Sequence, residues 1–158
     1  MPITLVATLV GIVESSMFMF CGFRLVGFAP ATKKLLLVAA CHALAVRMLR
    51  QLFYTVWDIP FGAHIVAAIA LFFIFSYWWF KLPAILAAMA VVIGYLLLSL
   101  GTMLVLLLLP NLEPTSFGSI LSMILVEQSP LILATIIIWR NNVTIIPRSI
   151  GEKLGLRT

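Results

Sequence analysis

"LPAILAAMAVVIGYLLLSLGTMLVLLLL", residues 82–109, contains no charged side chain. A hydrocarbon core about 30 Å thick is crossed by about 20 helical residues. This stretch exceeds that length, so it must tilt or extend beyond the bilayer. Pro83 falls at its start, where the missing N–H costs nothing.

The same character extends along the chain. Of 158 residues, 64% are hydrophobic and 9% charged, with a mean hydropathy of +1.23. Soluble domains carry about 25% charged residues. A fold of this size still exposes about 30% of the surface of its unfolded chain, too much for so apolar a sequence to show to water. The composition is that of an integral membrane protein. The net charge of +5 then concerns orientation and anionic lipid, and no nucleic-acid partner is expected.

Four further features divide the sequence into five expected spans. They are "GFAPATKK", "WDIPFG", "KLP" and "LPNLEPTSFGS", each with a proline and most with glycine or charge. The expected fold is all-α, a single bundle of spans at about 3–23, 35–54, 61–80, 82–109 and 117–139, followed by a short basic tail at 140–158. The N-terminus lacks a basic n-region and carries Glu14, so it reads as a retained first span rather than a cleaved signal. Cys21 and Cys41 sit in apolar runs and are expected as free thiols.

Eight of the ten basic residues fall on one side of this layout: Arg24, Lys33, Lys34, Lys81, Arg140, Arg148, Lys153 and Arg157. The positive-inside rule then places the N-terminus outside and the C-terminus in the cytoplasm of a bacterial-type plasma membrane. Trp57, Tyr77, Trp78, Trp79 and Trp139 fall at span ends as an aromatic belt.

Four ionisable groups remain at membrane depth: Glu14, Arg47, Arg50 and Glu127. Counting from the outer ends at about 1.5 Å per residue, Glu14 and Glu127 lie roughly 15–16 Å deep and Arg47 about 10–15 Å. Each costs about 2.5–3.5 kcal/mol at a helix centre, so such groups turn to a bundle interior or a wet cavity and pair. The expected pairing is Arg47 with Glu14, Glu127 or both, with Arg50 directed outward to Asp58 or solvent. Pairing of this kind serves either helix register alone or a functional polar site.

Neighbouring residues fit close packing. Ala7, Gly11 and Ser15 form a small-residue ridge on the first span, and Ala90, Gly94 and Gly101 a similar strip on the fourth. Pro130 frees the carbonyl of Val126 beside Glu127. His42 is expected as a hydrogen-bonded interface residue. His64, at the outer face with Asp58, is the candidate external ligand or pH contact.

Cys41 and His42 are adjacent and diverge by about 100° on a helix, so they form no dyad. There is no HExxH, no GxSxG and no paired-Asp motif. The expectation is no enzyme, no cofactor and no metal. The polar layer also suits a small transporter or channel component, although no internal repeat supports a carrier architecture.

The stretch "MPITLVATLVGIVESSMFMFCGFRLVGFAPATKKLLLVAACHALAVRMLRQL", residues 1–52, with "DIPFGAH" after it, resembles the membrane region of Gram-positive accessory-gene-regulator-type, peptide-sensing sensor histidine kinases and their short relatives without a kinase. The resemblance covers the first half of the chain. It implies a sensor-like or accessory membrane module, with a membrane or cytoplasmic signalling protein or a second copy of the chain as partner. The family is often described with six spans, where five are expected here. The residues after Trp139 are too few for an ATP-binding fold, so the resemblance implies sensing without phosphorylation.

Overall fold

A computed structural model of the chain describes residues 2–55, 63–109 and 117–146. The described residues form five α-helices and one π-helical turn: α1 (Pro2–Leu25), α2 (Thr32–Thr55), α3 (Ala63–Ile74), the π-turn (Phe75–Trp79), α4 (Ala84–Leu108) and α5 (Phe117–Asn141). Among them α1, α2, α4 and α5 contain segments long and apolar enough to cross a membrane. The third expected span differs from a regular helix. Only 16 residues or so of apolar helix, His64–Trp79, are present there, and the last turn is widened.

That widening has a local cause. The Ser76 hydroxyl donates to the Phe72 carbonyl at 2.7 Å, a back-bond that bends helices. The Phe80 N–H then reaches the Phe75 carbonyl, five residues back, at 3.2 Å. Lys81 follows with φ 56°, and Lys34 at the start of α2 donates to the exposed Trp79 carbonyl at 2.8 Å.

The break between α1 and α2 is set by Gly27, whose φ of 81° only glycine adopts without strain. The Gly27 N–H bonds the Arg24 carbonyl at 3.0 Å and the Phe28 N–H bonds the Phe23 carbonyl at 2.8 Å. This pair of bonds is the Schellman cap, and its usual apolar contact is the Phe23–Phe28 ring pair at 5.6 Å.

Side-chain contacts give the directions. α2 runs antiparallel to α1, with Ser15 opposite His42 and Gly11 opposite Ala43. α3 returns along α2, from His64 beside Tyr54 to Trp79 above Lys34. α4 runs against α1, with Gly22 on Ala90 and Gly94 on Phe18. α5 runs parallel to α1, with Cys21 beside Thr135 and the Ile145 N–H on the Leu25 carbonyl.

Helix α1 is therefore central, touching α2, α4 and α5, while α3 closes a ring between α2 and α4. Helix α5 packs outside that ring, against α1 and α4. The small-residue strip expected on the fourth span lies at these crossings. Ala90 and Gly94 face α1, and a methyl at Gly101 would meet the Glu127 backbone of α5.

Packing differs between the two halves of the bundle. In the lower half, where α1 ends, Phe18, Met19, Phe23, Phe72, Leu86 and Leu131 form the core. Phe18 stacks edge-on against Phe72 at 5.2 Å, and Phe23 approaches Phe80 at 4.7 Å. In the upper half, among the described residues, Gly101 alone is buried above the level of Ser15, His42, Ala68 and Gln128. Val6, Leu9, Met48, Leu96 and Leu106 are all at least half exposed there.

Candidate functional site

The polar side chains at membrane depth divide into three groups around α1. The first is the interior lock. His42 is 2% exposed. Its Nε2–H donates to the Ala68 carbonyl at 3.1 Å, which leaves Nδ1 to accept from the Ser15 hydroxyl at 3.2 Å. Both ring nitrogens are then satisfied by a neutral imidazole. The expected role as a hydrogen-bonded interface residue matches this arrangement, which ties α1, α2 and α3 together.

The second group faces the upper half. Arg47 donates from a guanidinium nitrogen to the Thr8 hydroxyl of α1. The Arg50 guanidinium lies 5.9 Å from the Tyr54 ring centre, and the Tyr54 hydroxyl is 3.3 Å from His64 Nδ1. Asp58, the expected partner of Arg50, lies outside the described residues.

The third group lies on the opposite side of α1, where α4 and α5 meet it. The Glu14 carboxylate accepts a hydrogen bond from the Gln128 side chain and is within electrostatic reach of Glu127. The Thr102 hydroxyl donates to Glu127 Oε1 at 3.2 Å. The Tyr95 phenol also lies within electrostatic reach of Glu14. Gln128 is 7% exposed and its Oε1 has no hydrogen-bond partner.

The structure thus brings Glu14 and Glu127 together and sets Arg47 against Thr8. Two geometric facts account for this. Along the axis, the α1–α2 register sets Arg47 opposite Thr8, six residues and about 9 Å above Glu14. Around the axis, α2 and α5 occupy different sides of α1. Where Arg47 was expected to meet a carboxylate, Glu14 has Glu127 and Gln128 as neighbours in its layer, and Arg47 has Thr8.

The close approach of α4 to α5 places Thr102 against Glu127. Gly101 leaves the room, since its missing Cβ would coincide with the Glu127 carbonyl. One turn further, Pro130 cannot bond the Val126 carbonyl, and the Ser129 hydroxyl takes that acceptor at 2.8 Å. Gln128 and Ser129 were expected to add polar capacity beside Pro130, but the sequence did not tell which partner each would take: Glu14 for Gln128 and the Val126 carbonyl for Ser129. A polar pair directly before an intrahelical proline is the signal that marks them.

The site is rich in oxygen acceptors: two carboxylates, an amide carbonyl and a hydroxyl, at the boundary between the packed lower half and the open upper half. Among the described residues no three His, Cys, Asp or Glu side chains cluster as for a metal site. In comparison with known proteins, no family model, no curated protein and no solved structure matches this chain.

Proposed function

We propose that this integral membrane protein is a non-enzymatic, sensor-like or accessory module in which occupancy of the Glu14–Glu127–Gln128 layer alters the packing of α5 on α1 and α4. The chain crosses a bacterial-type plasma membrane five times in this reading, N-terminus outside, with the α3–π-turn unit as the short third crossing. The observation that carries the proposal is the convergence of Glu14, Glu127, Gln128 and Thr102 from three helices onto one level, at the floor of the loosely packed half. A pair that served register alone would be satisfied within the protein, whereas here a buried amide oxygen is left over. The resemblance to peptide-sensing kinase membrane regions favours sensing over transport.

The test is a distance measurement. Spin labels at Ile85 and Trp139, 72% and 71% exposed at the lower ends of α4 and α5, are followed in a background lacking Cys21 and Cys41. Glu14→Gln and Glu127→Gln are expected to change the distance distribution while the far-ultraviolet helix signal stays constant. Identical distributions in wild type and both variants would refute the proposed coupling.

A further inference from the structure

We propose that Glu14, Glu127 and Gln128, with the Thr102 hydroxyl, bind one hard, oxygen-preferring divalent cation of the Ca²⁺ class. The inference rests on the reading of this layer as a ligand site and names the ligand class. Its first ground is unsatisfied oxygen. Gln128 is more than nine-tenths buried, its Oε1 has no partner, and the same planar amide is held against the Glu14 carboxylate. A buried polar atom of this kind costs stability unless something meets it.

The second ground is charge. Glu14 and Glu127 lie within electrostatic reach of each other and repel when both are ionised. Arg47, the basic residue nearest in depth, is directed to Thr8 on α1. Two carboxylates in the apolar part of a membrane are costly unless they take up protons or meet positive charge, and the proposed ion supplies that charge from outside the chain. A doubly charged ion leaves the layer neutral.

The donor set chooses the ion. Ca²⁺ takes six to eight oxygens in flexible geometry, from carboxylates in one- or two-oxygen modes and from amide carbonyls. Two carboxylates, the Gln128 carbonyl and the Thr102 oxygen reach that range. Mg²⁺ demands a stricter octahedron and gives up water reluctantly. Copper(I) and zinc favour thiolate and imidazole ligands, and neither thiolate nor imidazole is found among the contacts of this layer.

The full chain, purified in detergent and stripped with a chelator, is melted in calcium chloride, sodium chloride or choline chloride at equal ionic strength. Calcium at about 100-fold excess over its dissociation constant is expected to raise Tm by several degrees. Sodium and choline are expected to do nothing comparable. The rise should vanish in Glu127→Gln and in Gln128→Leu. Because either variant can lose its fold, Tb³⁺ is used as a second probe on the wild type and on Tyr95→Phe. Tyr95 lies beside Glu14, so bound Tb³⁺ should emit by transfer from tyrosine, Ca²⁺ should displace it, and Tyr95→Phe should dim it without removing calcium stabilisation.

Equal shifts with calcium and sodium, no shift, or unchanged shifts in the folded variants would each overturn the assignment. The two proposals fail separately. Calcium binding without movement of the Ile85–Trp139 distance removes the coupling and leaves the site. Movement on Glu14→Gln in a protein that ignores calcium removes the ion and leaves the coupling.

Discussion

Gly101 carries the α4–α5 contact by what it lacks. A β-carbon there would overlap the Glu127 carbonyl, and one at Gly22 would overlap the Ala90 carbonyl. Both obstacles are backbone, so neither can swing aside. Gly101→Ala and Gly22→Ala should each destabilise the protein by about 1–3 kcal/mol, the usual cost of forcing extra volume into a packed contact. Gly11 is the control, because its added carbon would stand 3.9 Å from Ala43 Cβ, an ordinary contact, and Gly11→Ala should leave thermal unfolding in detergent nearly unchanged. His42→Leu removes two hydrogen bonds at once. It should cost about 1–3 kcal/mol for the polar groups left behind, most of which Ser15→Ala in the same chain should fail to add to. The small residues of α4 were legible in the sequence, since spacing alone puts Ala90, Gly94 and Gly101 along one side. The partner of Arg47 was not. Counting residues from a span end gives depth within a few ångströms but no azimuth, and Thr8 is an unremarkable threonine until α2 is docked.

The helices show where local chemistry stops and packing begins. In α5 the proline was legible as a break in the hydrogen-bond ladder, but its remedy needed coordinates: Ser129 supplies the donor that Pro130 withholds from Val126. Ser129→Ala should therefore destabilise by about 1 kcal/mol in the wild type, and by much less when Pro130→Ala restores the backbone N–H. A double-mutant cycle on thermal unfolding measures the difference, and additive effects would show that Ser129 acts elsewhere. The third span was legible as apolar but not as interrupted. Hydropathy sees Phe75–Trp79 as a continuation, while the back-bond of Ser76 widens the turn and the left-handed Lys81 follows it. The α1–α2 break, in contrast, was written into Gly27 and the two phenylalanines that close its cap.

At the scale of the molecule, charge and packing point in opposite directions along the same axis. Arg24, Lys33, Lys34, Lys81 and Arg140 gather at the tightly packed end, while Arg47 and Arg50 lie toward the loose one. Positive charge is retained on the cytoplasmic side, so the well-packed half is expected to face the cytoplasm and the polar floor to open toward the outside. Helix direction makes this a single decision: α1 and α5 run parallel, and fixing either end fixes all the others. A protease-sensitive tag at Thr158 should survive in intact cells and be cleaved only after permeabilisation, and a tag before Pro2 should show the reverse. The charge argument also predicts how the orientation is held. Exchanging Lys33, Lys34 and Lys81 for glutamine removes three of the determinants within the short loops, where the bias is read. The variant should then produce a mixed population, with a fraction of Thr158 tags cleaved in intact cells. A variant that keeps one orientation would move the determinant to Arg140 and the basic residues after it, and a wild-type tag at Thr158 cleaved from outside would invert the whole assignment, leaving the polar layer to open toward the cytoplasm.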